Sequence, residues 1–192
     1  MKISGNVLTC INEKDIKLGV LTIPEGVEEV ASDFLRQLKV KPKKIIFPSS
    51  LKKLNNATFK NNKDLREVVF NGSIEGLPKD IFCDCSNLRS VKLPEKIKFI
   101  GDNAFRNCYN LRKINFPKSA YRIGQYSFAG CSGLMWDINL GNVEYIDDSA
   151  FEDCENIRKI KIDSEEMESI EERAFCKCYS LTNITLPKEL KL

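Results

Sequence analysis

The sequence contains no histidine among its 192 residues. Histidine is the side chain that most often serves as a general base, so its absence excludes Ser-His-Asp triads, Cys-His pairs and imidazole-based zinc sites. No apolar run approaches the ~20 residues that a membrane-spanning helix needs, and no Gly-rich phosphate loop is present. We therefore expect no catalytic residue, no metal, no cofactor and no insertion into a membrane.

Cysteine and net charge are also modest. Eight cysteines are too few for a disulfide-dense scaffold. Thirty basic and 27 acidic residues leave a net charge of +3, so the overall charge does not favour nucleic acid or a membrane surface. Any preference for a charged partner must come from how the charges are distributed.

The first residues bear on localisation. No apolar stretch of signal-peptide length precedes Glu13 and Lys14. If Met1 is the native start, we expect a cytoplasmic protein, and the unpaired cysteines suit a reducing compartment. If the natural chain begins earlier, a cell-surface or secreted protein is the alternative.

A repeat of about 23 residues runs through most of the chain. Seven phenylalanines mark it, at intervals of 25, 23, 23, 23, 23 and 24 residues: Phe34, Phe59, Phe82, Phe105, Phe128, Phe151 and Phe175. A cysteine follows three residues later in five units: Cys85, Cys108, Cys131, Cys154 and Cys178. After a further apolar residue, an apolar-x-apolar pair closes each unit, often directly before a proline. Such a period is the signature of a stacked repeat protein.

Each part of the repeat predicts a local structure. The apolar-x-apolar pair has the period of a half-buried strand, and the proline after it ends the strand. The Gly, Asp and Ser residues before Ala-Phe favour a turn and a helix cap, with Ala-Phe opening a short helical turn. One unit cannot bury its own apolar residues, so the units must stack. We predict an α/β solenoid of about eight units, with a parallel sheet on the concave face and short helical turns on the convex side.

The repeat also resembles a known class. The unit Leu-x-x-Ile-x-Leu-Pro followed by Ile-Gly-x-x-Ala-Phe-x-x-Cys is similar to the BspA-like leucine-rich repeat, over residues 21–192. The resemblance implies a right-handed leucine-rich-repeat solenoid. It also implies a binding or adhesion module rather than an enzyme. Residues 1–20 carry no full repeat, and their apolar residues predict a hairpin that caps the first unit.

The repeated cysteine has two interpretations. Equivalent positions of stacked units lie about 5 Å apart, so the five cysteines should form a column. The column could bind a soft metal or form disulfides, or the thiols could be small buried side chains suited to a tight turn. The second interpretation is favoured, because a column of thiols does not surround one ion tetrahedrally.

The charge pattern suggests a binding surface. Residues flanking the strand pairs should face outward, and they are mainly basic, whereas twelve of the 27 acidic residues lie between Glu144 and Glu172. One unit differs, because an extra residue places Met135 and Trp136, the only tryptophan, where other units carry arginine. Trp136 could cover an irregular strand or anchor a partner. The predicted partner-binding residues are Arg66, Arg89, Lys92, Arg112, Lys113, Met135, Trp136, Arg158, Lys159 and Lys161.

These features favour a protein-binding module whose basic concave strand face holds an acidic macromolecule. Another protein is the preferred partner and an anionic glycan is possible. Nucleic acid is disfavoured, because the strand face lacks regular aromatic residues on which bases could stack. The alternative is a structural or adhesive segment of a longer cell-surface protein, and ordinary solvated charge remains an alternative explanation of the basic face.

Overall fold

The computed structural model describes residues 1–135 and 137–187. The chain winds into a solenoid of about eight turns, in which short, mostly parallel strands stack along two sides and bonded turn segments along a third. The strands are β1 (Lys2–Ser4), β2 (Val7–Cys10), β3 (Ile16–Lys17), β4 (Val20–Thr22), β5 (Glu29–Val30), β6 (Lys44–Phe47), β7 (Lys53–Leu54), β8 (Glu67–Phe70), β9 (Gly76–Leu77), β10 (Ser90–Lys92), β11 (Phe99–Ile100), β12 (Lys113–Ile114), β13 (Arg122–Ile123), β14 (Ile138–Gly141), β15 (Tyr145–Ile146), β16 (Lys159–Ile162), β17 (Ser169–Ile170) and β18 (Asn183–Thr185).

The apolar-x-apolar pairs form the strands that we call the front ladder. It runs in the order β3, β4, β6, β8, β10, β12 and then, after an interruption, β14, β16, β18. All its strands pair in parallel except β3 and β4. The register places Val91 beside Val68 on one side and Ile114 on the other, so equivalent repeat positions are direct neighbours. The parallel sheet that the sequence predicts is thereby confirmed.

A second ladder lies where the sequence analysis placed only a turn and a helix cap. It consists of two-residue strands, apart from β2, in the orders β2, β5, β7 and β9, β11, β13, β15, β17. All of these strands except β17 bury one aliphatic side chain: Ile100, Ile123 and Ile146 are at most 1% exposed, whereas Ile170 of β17 is 38% exposed. Two residues are too short for a visible period-2 pattern, which is why the sequence did not reveal this ladder.

The short helical turns predicted for the convex side are wrong. Within residues 1–135 and 137–187 the only helix is a single 3-10 turn, Glu13–Asp15. Around the six repeat phenylalanines from Phe59 to Phe175 the chain instead forms turns with left-handed residues two positions before and after the ring, such as Asn103 (φ 53°) and Asn107 (φ 59°) around Phe105. A left-handed residue cannot continue an α-helix. The backbone N–H of Phe105 therefore donates to the carbonyl of Ser127 in the next turn, at 2.7 Å.

The core is a set of columns that run along the solenoid. Phe82, Phe105, Phe128 and Phe151 are fully buried and stack face to face, with ring centroids 5.1–5.4 Å apart. Aliphatic residues of both ladders surround the ring column. Because each turn buries its apolar side chains mainly against its neighbours, the fold is stabilised by contacts between adjacent turns.

Residues 1–20 add to the ladders at the N-terminal end. β1 and β2 form an antiparallel hairpin, and β2 pairs in parallel with β5 of the second ladder. Leu8 and Ile11 are fully buried in the common core. β3 pairs antiparallel with β4 at the end of the front ladder. That residues 1–20 act as a separate cap stays a prediction.

Candidate partner-binding surface

The front ladder alternates buried and exposed side chains along its strands. Val68, Val91 and Ile160 point into the core and are at most 2% exposed. Their neighbours in the chain point away from the core, as the pleat of a strand requires. These outward residues, with those directly before each strand, make up what we call the front surface.

Three arginines form a column on the front surface. Arg66, Arg89 and Arg112 occupy equivalent positions in successive turns and are exposed. The backbone N–H of Arg89 donates to the carbonyl of Arg66 at 2.8 Å, and that of Arg112 to the carbonyl of Arg89 at 2.9 Å. Their backbones are therefore one strand spacing apart, about 5 Å.

The arginine column is not neutralised by ion pairs. None of the three guanidinium groups forms an ion pair with a described residue. Stacked like charges in water are tolerated but generate a positive potential over the surface. An anionic partner placed against the column would relieve this repulsion.

Two lysines extend the column sideways. Lys92 in β10 and Lys113 in β12 are exposed and, like the arginines, have no ion pair with any residue that the structure describes. Together with Arg112 they border an open depression of about 490 Å³, whose lining also includes the apolar Val91 and Ile114 and the acidic Glu95. We call the five cations of this region the basic patch: Arg66, Arg89, Lys92, Arg112 and Lys113.

The remaining predicted cations lie apart from the basic patch, near or on β16. Lys159 is 3.7 Å from the Asp137 carboxylate, and Lys161 is 2.7 Å from that of Asp163. The hydrogen bond from Lys161 holds the pKa of Asp163 below its ordinary value. Arg158 is exposed, without an ion pair to the described part of the chain. The structure therefore divides the predicted cations into two groups, of which the basic patch is the less neutralised.

The front ladder is interrupted between β12 and β14, and we call this interruption the ladder gap. It separates the two groups of predicted cations. β12 pairs with β10 and β14 with β16, but no pairing joins β12 to β14 among the described residues. The cause is visible in the spacing, because Leu134 precedes the strand residue Ile138 by four positions, whereas Leu111 precedes Ile114 by three. Met135, in the extra segment, is 49% exposed. Trp136 lies outside the described residues, so its predicted role stays a prediction.

The turn after β14 compensates for the extra residue. Gly141 occupies the position of Pro117 in the previous unit. From this position to the next buried residue, the chain is one residue shorter than in that unit. Gly141 adopts a positive φ of 62°, a conformation that glycine reaches without steric cost. The next turn is consequently back in register, and β14 pairs with β16 across a bulge.

The cysteines form the column that the repeat predicts. Each thiol of the column donates to the carbonyl of the phenylalanine in the preceding turn, as Cys108 does to Phe82 at 3.2 Å and Cys131 to Phe105 at 3.1 Å, whereas the buried Cys83 donates to the carboxylate of Asp84. All eight cysteines are free. Burial raises the pKa of Cys85 to about 12. These thiols pack the core and bind backbone carbonyls, which is a structural role, and no cluster of metal ligands occurs within the described ranges.

A scan against family models matches the BspA-type leucine-rich repeat region in six copies, over residues 12–135 and 99–192. The chain belongs to the BspA-type leucine-rich repeat family. The resemblance inferred from the repeated Phe, Cys and Leu positions is thereby confirmed. The family and its solenoid fold are typically non-enzymatic, and leucine-rich repeats commonly mediate protein interactions.

Solved structures share the fold of this BspA-type chain. A T. pallidum leucine-rich repeat protein is similar at 23% identity and a TM-score of 0.69, over 96% of this chain and 76% of that one. A leucine-rich cell surface protein from Faecalibacterium prausnitzii gives 21% identity and 0.57, over 92% and 61%. The pneumococcal vaccine antigen PcpA gives 18% and 0.52, over 99% and 68%. No curated protein matches the chain.

The acidic residues between Glu144 and Glu172 of the BspA-type solenoid are paired with cations only in part. Glu152 is buried and pairs with Arg173, and Lys177 lies 3.2 Å from Asp153. Other acidic residues of this region are exposed: Glu155, Glu165, Glu168, Glu171 and Glu172. Residues 1–135 and 137–187 include no helix with the length and apolarity needed to cross a membrane.

Sequence reasoning missed three residues beside the basic patch. Ile114 and Phe116 are only half-buried, although Leu93, which precedes Phe116 in its column, is 1% exposed. Asn115 lies between them, and its side-chain amide takes both backbone groups of Leu93, accepting from the N–H at 2.7 Å and donating to the carbonyl at 3.2 Å. The signal in the sequence was the four-residue spacing between Leu134 and Ile138 of the next unit. This spacing predicts that β12 lacks a paired strand on the side of that unit.

Proposed function

We propose that this chain is a protein-binding module that holds an acidic macromolecular partner on the basic patch, on the concave face of its right-handed solenoid. The observation that carries the proposal is the column of Arg66, Arg89 and Arg112, exposed and without an ion pair among the described residues. Guanidinium groups bind carboxylates through paired hydrogen bonds, so the column suits a partner with several acidic side chains. Complementary charge also accelerates encounter and selects against basic partners.

Two further predictions from the sequence belong to the same proposal. Arg158, Lys159 and Lys161 would form an outlying contact, weaker because Lys159 and Lys161 already have acidic neighbours. Met135 and Trp136 would supply an apolar anchor beside the basic patch. An acidic protein segment is preferred over an anionic glycan, because the apolar Val91 and Ile114 in the lining of the depression suit a polypeptide.

The test uses two defined anions and two triple variants. Binding of labelled polyglutamate and of a sulfated glycan is measured by fluorescence anisotropy over a range of salt concentrations. Changing Arg66, Arg89 and Arg112 to glutamate should abolish polyglutamate binding and its salt dependence. The control changes Lys52, Lys53 and Lys98 to glutamate, which alters net charge equally but touches lysines already paired with acids. Equal loss in both variants would show non-specific attraction and refute the proposal.

A structural or adhesive segment of a longer surface protein is the second candidate. It is favoured by the description of the Faecalibacterium prausnitzii neighbour as a cell surface protein, of which this chain covers 61%. Protease treatment of intact host cells, followed by mass spectrometry of the released peptides, separates a surface location from a cytoplasmic one. Release of peptides from residues 1–192 favours the adhesive candidate.

A further inference from the structure

The outward surface of the second ladder changes along the solenoid. Near its N-terminal end, adjacent turns carry opposite charges that pair, as Lys52 does with Glu28 at 2.7 Å. In the middle, the equivalent positions are Lys98, Tyr121 and Glu144. The backbone N–H of Tyr121 donates to the carbonyl of Lys98 at 2.8 Å, and that of Glu144 to the carbonyl of Tyr121 at 2.7 Å. An aromatic residue therefore separates a cation from an anion, each about one strand spacing away.

Two exposed aromatic rings lie on this part of the ladder. We call it the side surface, and its residues are Lys98, Phe99, Tyr121, Arg122, Glu144 and Tyr145. Phe99 and Tyr121 are 39% and 38% exposed. The ring of Phe99 lies over Gly76 of β9, where a Cβ atom would come 2.1 Å from its Cζ. This ring is thereby held against the ladder backbone, and its remaining surface faces solvent. Exposed aromatic residues in neighbouring turns are typical of the centre of a protein interface.

Charge is divided across the side surface. Lys96, Lys98 and Lys118 border an open depression of about 720 Å³, whose lining also includes Tyr121 and Glu144. Lys96 and Lys118 are exposed and form no ion pair with a described residue. Glu144 likewise has no ion pair within residues 1–135 and 137–187. The depression is therefore basic on one side and acidic on the other.

A surface of this order is complementary to itself. An isologous dimer places the same patch of two copies face to face, so each contact between unlike residues occurs twice. With the two-fold axis across the ladder at Tyr121, Lys98 of each copy lies opposite Glu144 of the other. The two tyrosine rings then meet at the axis, and Phe99 of each copy lies opposite Tyr145 of the other.

We propose that the side surface binds a second copy of this chain, with the two solenoids antiparallel and Tyr121 at the centre of the interface. The aromatic rings would supply the apolar contact, and the two Lys98–Glu144 pairs would fix the alignment. The basic patch lies on the front ladder, outside this interface. A dimer would therefore present two basic patches, and its formation does not depend on what they bind.

Two sets of like charges meet in this arrangement. Arg122 lies opposite itself, but within each copy its guanidinium donates to the carboxylate of Asp147 at 2.9 and 3.0 Å. Glu75 lies opposite Glu168, but both are exposed and Lys98 is 3.2 Å from Glu75. Charges that are paired or solvated repel one another weakly, so neither contact opposes the dimer strongly.

Two charge-reversal variants test the interface. Sedimentation equilibrium of the wild type should show a mass that rises with concentration toward twice the monomer mass of 21.9 kDa. Lys98→Glu brings two carboxylates together in each contact, and Glu144→Lys brings two ammonium groups together, so each variant alone should stay monomeric. A one-to-one mixture of the two variants should dimerise again, because each contact then joins a lysine to a glutamate. A mixture that stays monomeric, a single variant that dimerises as the wild type does, or a wild type that is monomeric throughout refutes the proposal.

Tyr121→Ala tests the aromatic centre of the interface. The dimer of this variant lacks both rings at the axis, so its dissociation constant should rise by about tenfold or more, as at an interface hot spot. Tyr179→Ala is the matched control, because Tyr179 is 74% exposed but lies outside the side surface. Equal dissociation constants for the two variants would overturn the placement of the interface. All these variants keep Arg66, Arg89 and Arg112, and an unchanged thermal midpoint by circular dichroism shows that loss of the dimer is not loss of the fold.

Discussion

Replacing Phe128 by alanine should destabilise the protein strongly, because this ring lies in the middle of the phenylalanine column. Phe128 is fully buried, and its centroid is 5.1 Å from those of both Phe105 and Phe151. Removing a buried phenylalanine ring costs about 3–5 kcal/mol, and two stacked neighbours place this position in the upper part of that range. Because alanine leaves a cavity between turns bonded on both sides, collapse of the site should recover little of the loss.

Phe175 is the matched control for Phe128. It is only half-buried and stacks on one described ring, that of Phe151, at 5.5 Å. Phe175→Ala should therefore cost less than half as much as Phe128→Ala, since the cost scales with the cavity that is created. Urea denaturation followed by circular dichroism gives both free energies of unfolding, provided that the slope with denaturant stays constant. Equal losses, or a loss below about 1 kcal/mol for Phe128→Ala, would refute the account of the core as a continuous column.

Three further outcomes are expected. In the native protein only Cys10 and Cys176 should react rapidly with a thiol reagent at pH 8, because the other six cysteines are buried. Burial also raises the pKa of Cys83 to about 11 and that of Cys85 to about 12. All eight cysteines should react in denaturant. Gly124→Ala should cost about 1–3 kcal/mol in thermal or chemical unfolding, because a Cβ there would lie 2.8 Å from the carbonyl oxygen of Ile100. The hydrogen bond from Asn107 lowers the pKa of Asp84 from its ordinary value of 3.8. The ionised Asp84 therefore stabilises the folded protein above pH 3.8, and this stabilisation is lost as the pH falls through the lower pKa of the folded state. NMR titration should show that Asn107→Ala raises the pKa of Asp84.

The front ladder and the family could be predicted because their signals repeat. The pairs Val68/Phe70 and Val91/Leu93 alternate with exposed residues, and the same pattern recurs at a constant interval. Recurrence matters more than any single unit, since one such pair alone is ambiguous between strand and buried helix. The repeated Phe and Cys positions then distinguish the BspA-type unit from other leucine-rich repeats.

The turn side could not be predicted by the same reasoning. Ala-Phe flanked by polar residues fits the start of a helix as well as the observed turns, because local sequence does not show whether an N–H finds its acceptor four residues back or in the next turn. The informative residues were Asp80 and Asp84 around Phe82, and Asn103 and Asn107 around Phe105, since Asp and Asn tolerate the left-handed conformation. Tyr126 and Arg173 adopt it without that advantage, so stacking overrides local preference there.

The candidate site was predicted only in part, because some of its features follow from the strand period and others from contacts with neighbouring turns. Outward positions follow from the period-2 pattern, and the exposure of Arg66, Arg89 and Arg112 agrees with it. Lys159 pairs with Asp137 of the preceding turn, which spacing alone did not show, whereas Asp163 follows Lys161 by two residues and lies within reach on the same face of the chain. The exposure of Ile114 and Phe116 depends on the strand in the following turn, which the sequence shows only as one extra residue.

The bonding of the solenoid explains why one turn tolerates the ladder gap. Adjacent turns are joined at three separate sides, and the loss of pairing between β12 and β14 leaves the second ladder and the turn segments intact. Gly141 then restores the length of the unit, so the irregularity does not spread to β16. In a stacked array the cost of such a defect falls on one interface between neighbouring turns rather than on the whole fold. A repeat protein can therefore lose one strand pairing while the turns on both sides keep their fold, and here the interruption adjoins the column of exposed cations without an ion pair among the described residues.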